Sequence, residues 1–385
     1  MDIEVDRAAL EAWLILLRAP GLGPTAIRGL LARHGGSRAA LAAARREDLG
    51  ERSVAAGCAA WLARPARDVL DADLAWLAVP GHALLTCDAD DFPALLDDSP
   101  APPAALFVEG DAGLLWQPQL AIVGSRHASQ GGRANAAGFA RALVQSGFTI
   151  TSGLAEGIDG AAHAAALDAG GHTVAVLGTG PDRVYPAMHA ELSARIAAGG
   201  ALVSEFPPGT PAHPAHFPRR NRIIAALALG TLVVEAGLRS GSLITARNAA
   251  ESGREVFALP GSIHNPLVRG CHRLIRSGAR LVETSEEVIE ELGPVARHLG
   301  IRLRERLGVA APGDHDGVPE TPADPARSRL RAALGHDPVR VDELAERTGF
   351  DVAQVSSLLL MLELEGAVVP AAGGAWARRT GPPPG

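Results

Sequence analysis

The stretch that decides the fold begins Val203-Ser204-Glu205-Phe206-Pro207-Pro208-Gly209 and continues through His216-Phe217-Pro218-Arg219-Arg220-Asn221-Arg222. It then runs through the apolar 223–229 and 231–234 to Glu235-Ala236-Gly237 and Arg239-Ser240-Gly241-Ser242. A strand-like run ends in a proline-rich loop, an apolar helix follows, and a second strand-like run ends in a glycine-bearing loop. Strand, helix, strand in this rhythm means a βαβ unit and a parallel sheet. Three arginines and an asparagine stand between Pro218 and the apolar part of the helix. They gather positive charge and planar donors near a helix N-terminus, where free N–H groups already favour anions. A phosphate is the natural guest, although a solvated arginine face would carry the same residues, and Arg222 at the start of a buried helix could instead pair with Glu205 or Glu235.

The alternation extends outward from there. Strand-like runs fall at 120–123, 148–151, 173–177, 201–203, 231–234 and 255–259, with helical stretches such as 132–145, 158–169 and 242–251 between them. The fold class is therefore α/β, with an extended Rossmann-like parallel sheet covered on both faces. Most runs pass straight into a Gly-rich or polar loop, including Gly124-Ser125-Arg126, Ser152-Gly153-Leu154-Ala155-Glu156-Gly157 and Gly178-Thr179-Gly180. In a parallel sheet these loops share the carboxyl edge, where open α/β sheets bind ligands.

Composition bounds the partners. At 385 residues the chain calls for two or three domains, and 47% hydrophobic with 21% charged residues describes a globular protein. No lysine is present, so all 36 basic residues are arginine. The formal charge is −7, but residues 121–280 hold 15 arginines against 9 acids, a net of +6 that leaves −13 for the rest. A basic middle between acidic flanks suits an anion bound in the middle. Cys58, Cys87 and Cys271 have no paired spacing for a metal or a disulfide framework, which fits a reducing cytoplasm. The acidic N-terminus lacks the charged region of a signal peptide, and no apolar run is long enough to span a bilayer.

The flanks read differently. Leu10, Trp13, Leu14 and Leu17 have helical spacing, and Pro20-Gly21-Leu22-Gly23-Pro24 separates them from a second helical run. This is the shape of a helix-hairpin-helix, or of a plain αα-hairpin, in an all-α domain spanning 1–78. The core follows at 79–300, then an Arg-rich helical piece and a linker at 301–325 that is dense in Pro, Gly and Asp from 310, and three short helices with a β-hairpin at 326–379, a winged helix. Its expected recognition helix, 351–365, bears Asp351, Glu363 and Glu365 but no arginine, which favours a protein-contact or structural role.

Within the core, Gly124-Ser125-Arg126 can hold one phosphate, but the G-x-G-x-x-G fingerprint is missing. Asp159 can cap the next helix or touch a ligand, and His163, one turn on, is expected to be its buried partner. Tyr185, the single tyrosine, stands beside Arg183 and can stack on a splayed base or pack beneath its loop. No nucleophile–base pair appears around Ser125, Ser152 or Ser240, and His213-Pro214-Ala215-His216 lacks a carboxylate at metal-ligand spacing.

Gly-Ser-Arg at 124–126, Ser-Gly-Leu-Ala-Glu-Gly-Ile-Asp-Gly-Ala-Ala-His at 152–163 and Tyr185-Pro186 recur in order with Phe-Pro-Arg-Arg-Asn-Arg-Ile-Ile at 217–224. Ser-Gly-Ser-Leu-Ile-Thr-Ala at 240–246 and Leu-Pro-Gly-Ser-Ile at 259–263 follow. Together these motifs resemble the DprA/Smf (DNA-processing protein A) family over about residues 124–281. The resemblance implies a helical SAM-like or helix-hairpin-helix N-domain, an extended Rossmann core and a winged-helix C-domain. It implies a cytoplasmic homodimer, without cofactor or metal, that binds single-stranded DNA and delivers RecA onto DNA taken up in natural transformation. By analogy the DNA contacts fall on Gly124, Ser125, Arg126, Gly153, Leu154, Ala155, Gly157, Arg183 and Tyr185. Arg219, Arg220, Asn221, Arg222, Ser240, Gly241, Ser242 and Thr245 complete the expected site. Related Rossmann enzymes release bases from nucleoside monophosphates, using a glutamate for the acid–base work. Thr245 stands in its place and cannot supply a carboxylate.

Overall fold

The computed structural model describes residues 6–46 and 57–306, and in the C-terminal part 330, 333–334, 339–350, 354–355, 359, 362, 368–371 and 375–378. The chain divides into two compact units, Met1–Val309 and Ala310–Gly385.

The first unit opens with α1 (Arg7–Arg18), α2 (Pro24–His34), α3 (Gly36–Ala44), α4 (Cys58–Ala63) and α5 (Arg67–Leu77). Asp6 caps α1 by accepting the N–H groups of Ala8 and Ala9, and Pro24 opens α2, where its missing N–H costs nothing. Trp13, Leu14, Leu16, Ile27 and Leu30 fill the helical core, which also takes in Phe107 from the sheet beside it.

Among the described residues that sheet has nine strands. They are β1 (His82–Thr86), β2 (Ala105–Gly110), β3 (Gln119–Val123), β4 (Thr149–Ser152), β5 (Thr173–Val176), β6 (Ala201–Ser204), β7 (Gly230–Val233), β8 (Glu255–Ala258) and β9 (Arg280–Leu281). Between β1 and β2 lies α6 (Ala94–Asp97). The crossover helices are α7 (Gln130–Gln145), α8 (Ile158–Asp168), α9 (Ala190–Gly199), α10 (His216–Leu227), α11 (Ser242–Glu251) and α12 (Arg269–Arg276), and α13 (Ser285–Arg306) closes the unit. Helix continues through 301–306, the Arg-rich helical piece of the sequence; the remainder of the linker lies outside the described residues.

The spatial order is β1-β2-β6-β5-β4-β3-β7-β8-β9. From β6 to β9 every neighbouring pair is parallel, whereas β2 runs antiparallel to β6 and β1 to β2. The sheet is thus parallel through its core, with an antiparallel pair added at one edge. The central strands β3, β4, β5, β6 and β7 are buried along their whole length, as a sheet covered on both faces requires. Beginning at β3, the chain steps out through β4 and β5 to β6, then returns by α10 to β7 on the other side of β3. Strand order reverses there, which opens a crevice beyond the carboxyl ends of β3 and β7.

The second unit contains β10 (Val339–Arg340), α14 (Val341–Thr348), β11 (Val368–Ala371) and β12 (Ala375–Arg378). The strands pair in the order β10-β12-β11, so the expected hairpin is present, and Leu330, Leu344, Val355, Leu359 and Val368 form its buried core. Most of the expected recognition helix lies outside the described residues.

Candidate nucleic-acid interface

The crevice at the strand reversal is an open cleft of about 900 Å³. Its floor and walls come from the loops after β3 and β7, the start of α8, the Tyr185 segment, α10, α11 and the residues entering α12. Arg126, Arg220, Arg239 and Arg269 line it, and among the described lining residues Asp159 is the one carboxylate.

Glycine lets the loops interlock under the cleft. At Gly157 φ is +80°, and a β-carbon there would collide with the carbonyls of Ser125 and Arg126. The Ser125 carbonyl instead accepts the Ile158 N–H at 3.2 Å. Behind this loop, Glu235 occupies the start of α7. Its carboxylate accepts the Ser129 N–H at 2.9 Å and the Ser129 hydroxyl at 2.6 Å, and Ser129 in turn caps the Gly132 N–H. A helix N-terminus that could have taken a ligand anion already holds one from its own chain. That helix start is therefore closed to a ligand, and the anion-holding groups that the cleft presents include its arginines.

The arginines of α10 separate by helical phase. Arg219 and Arg222, three residues apart, lie on one face and both grip the buried Glu205. Arg222 also donates to the Ala101 carbonyl at 2.5 Å. Arg220 points the other way. It is buried, and it donates to the Gly153 carbonyl at 2.6 Å and to the Val176 carbonyl, while its Nε has no protein partner. Burial pushes its pKa down to about 10, with Asp159 opposing the shift, so it stays charged at neutral pH.

Phe217 collects the charge at the mouth. Arg126 lies 5.6 Å and Arg220 6.0 Å from its ring centroid, and Tyr185 is tilted against it at 5.3 Å. Tyr185 is 47% exposed and Arg126 is exposed, so a flat apolar ligand can reach both. Among the described residues Arg126 has no carboxylate partner.

Beneath the cleft, Leu154 adopts a left-handed backbone, φ 57°, which is unfavourable for a leucine. Two histidines hold it there. Its N–H donates to His163 Nε2 at 3.3 Å, and its carbonyl accepts from His189 Nδ1 at 3.0 Å. With Nε2 accepting, His163 Nδ1–H donates to the Thr173 hydroxyl at 2.7 Å, and that hydroxyl donates to the Ile150 carbonyl at 2.6 Å. Burial drives the His163 pKa down to about 3, so the ring is neutral. The sequence reading placed His163 beside Asp159. In the fold its partners are Thr173 and Leu154, while Asp159 accepts the Gly153 N–H at 3.2 Å instead of capping α8. Burial raises the Asp159 pKa, against the pull of Arg220 and the backbone donors.

The model of the DNA recombination-mediator protein A family matches residues 83–293. The chain belongs to that family. Models of a DprA-like N-terminal helix-hairpin-helix domain and of a DprA winged-helix domain match residues 7–53 and 316–374. Protein Smf of Escherichia coli K12 is 45% identical over 315 residues, 80% of each chain. DNA processing protein DprA of Streptococcus pneumoniae is 48% identical over 189 residues, 49% of this chain and 67% of that one. An X-ray structure of DprA from Streptococcus pneumoniae superposes with a TM-score of 0.65 at 36% identity, covering 73% of this chain and 97% of that one. A structure of DNA processing protein A from Helicobacter pylori, whose subject is its single-stranded DNA binding mode, superposes with a TM-score of 0.50 at 28% identity. It covers 55% of this chain and 95% of that one.

In this family member the cleft brings together Gly124, Ser125, Arg126, Ala155, Tyr185, Arg220, Asn221, Ser240, Gly241, Ser242 and Thr245 of the expected site. Gly153 and Leu154 lie beneath it, and Gly157 braces the loop behind it. Arg183 is exposed but outside the lining, and Arg219 and Arg222 are on the far face of α10 with Glu205. Phe217, Arg239 and Arg269 also line the cleft, outside the expected site. Arg239 follows β7 on the same carboxyl edge as the rest and Phe217 opens the Phe-Pro-Arg-Arg-Asn-Arg run, both usable signals; Arg269 carried none. No group of three His, Cys, Asp or Glu among the described residues is placed to hold a metal. No helix of the described residues is long and apolar enough to cross a membrane.

Proposed function

We propose that the cleft binds single-stranded DNA, holding phosphates with Arg126, Arg239 and Arg269 and stacking bases against Tyr185 and Phe217. The observation that carries this reading is the Phe217 ring, flanked by two arginines and a half-exposed tyrosine at the mouth of a cleft whose one carboxylate is already engaged. Arginines read phosphates and aromatic faces accept any base, so binding has little sequence preference. Gly124, Ser125, Ala155, Asn221, Ser240, Gly241 and Ser242 shape the wall that the strand follows. The single-stranded DNA binding studied in the Helicobacter pylori relative supports the same ligand. Thr245, buried in the wall, offers no carboxylate, so the cleft is read as a binding surface rather than a base-releasing site.

On this reading the protein is a cytoplasmic homodimer that protects incoming single strands and loads RecA on them during transformation. Fluorescence anisotropy with oligo-dT and with a duplex of equal length tests the first step. Tighter binding of the single strand supports it, and equal affinity contradicts it. Light scattering tests the dimer.

A further inference from the structure

We propose that the bound strand continues past the 238–241 loop into a second phosphate-binding subsite between α11 and α12; this rests on the reading of the first cleft as a single-strand site. The second cleft measures about 560 Å³ and shares Leu238, Arg239, Ser240, Gly241 and Ile244 with the first, so one loop is the common wall of both. Arg239, Arg247, Arg254 and Arg273 line it, against a single acid, Glu255. Arg239, Arg247 and Arg273 are exposed and have no carboxylate partner among the described residues. Arg254 spends one donor on the Leu95 carbonyl at 3.2 Å and leaves its buried Nε without a partner. Four guanidiniums lining one cleft, with Glu255 the single lining carboxylate and Asp98 acting on Arg254, leave an excess of positive charge that favours an anion.

The helix beside the clefts fixes the path. Arg269 lines the first cleft and Arg273, one turn along α12, lines the second. Residues at this spacing stand about 5–6 Å apart on one helix face. The helix itself is anchored, since the Gly270 N–H donates to the Ala236 carbonyl at 2.7 Å and a β-carbon at Gly270 would strike that carbonyl. The two side chains therefore leave one anchored helix a turn apart, one toward each cleft. A continuous polyanion is the ligand that uses both; an isolated nucleotide uses only the first.

The test compares a short oligo-dT of about 5 nucleotides with a long one of about 20, which bracket the usual site size of one binding fold. The proteins are wild type, Arg247→Ala and the double variant Arg247→Ala/Arg273→Ala, with molar mass followed by light scattering. The expected result is unchanged affinity for the short oligonucleotide and a loss of about tenfold for the long one in the double variant. The steepness of log K against log salt should fall by about 0.7 per lost contact, for the long oligonucleotide only. Unchanged long-oligonucleotide affinity and slope, an equal loss for both lengths, or a loss that tracks a change in molar mass would each overturn the proposal. Failure of the wild-type protein to bind either length would instead overturn the reading of the first cleft.

Discussion

Arg220 donates to the backbone carbonyl of Gly153 at 2.6 Å, and a β-carbon on Gly153 would land on the same guanidinium. The glycine is there because the arginine is. Gly153→Ala must displace the Arg220 guanidinium, and through it disturb the cleft mouth. The variant should lose about 1–3 kcal/mol of stability, as overpacked sites do. It should also bind oligo-dT more weakly, although residue 153 does not line the cleft. Urea denaturation beside anisotropy checks both; wild-type binding in the variant would uncouple Arg220 from the site.

Arg222 is bound to Glu205, with Arg219 on the other carboxylate oxygen. Arg222→Ala leaves a buried carboxylate half-satisfied, which costs about 1–3 kcal/mol. The melting temperature should fall while the salt dependence of oligo-dT binding stays as in wild type. A reduced salt slope in the folded variant would place Arg222 on the DNA.

The neutral, buried His163 makes stability depend on pH. Its folded pKa is about 3 against an ordinary 6.5, with burial the main cause and the charges of His189 and Arg220 adding to it. Below pH 6.5 the unfolded chain takes up a proton that the folded chain refuses. The stabilisation is complete above pH 6.5 and is lost as pH falls toward 3, by at most about 1.4 kcal/mol per unit. Urea midpoints between pH 7.5 and 5 should fall more steeply for wild type than for His163→Gln. Parallel profiles would contradict this.

Strands and crossover helices were legible in the sequence because a buried parallel sheet leaves continuous apolar runs and a loop at each carboxyl end. Arg126 was legible for the same reason. The fate of 219–222 was legible only in part: an ion pair of Arg222 with Glu205 or Glu235 stood as the alternative to a DNA contact, and the choice depends on the loop after β6 that the fold carries beneath α10. Helical phase alone would have separated Arg220 from its neighbours, but not told which face met the acid. Leu154 gave no sign of its left-handed backbone, because the two histidines that hold it lie 9 and 35 residues away.

Phe217 packs against Tyr185 and Arg126 at the mouth, and on the proposed reading a base stacks on this cluster. Phe217→Ala should weaken oligo-dT binding by about 1–3 kcal/mol while leaving the salt slope unchanged, since no phosphate contact is lost. Titrations of the variant at several salt concentrations separate the two quantities. Wild-type affinity would remove the ring from the site.

Arg126 carries the central claim, being exposed at the mouth with no carboxylate partner among the described residues. The most direct measurement is the salt dependence of oligo-dT affinity for wild type and Arg126→Ala. A single-strand phosphate contact at Arg126 predicts weaker binding of every sequence and a slope of log K against log salt shallower by about 0.7. Affinity and slope indistinguishable from wild type would mean that the strand does not pass through this cleft.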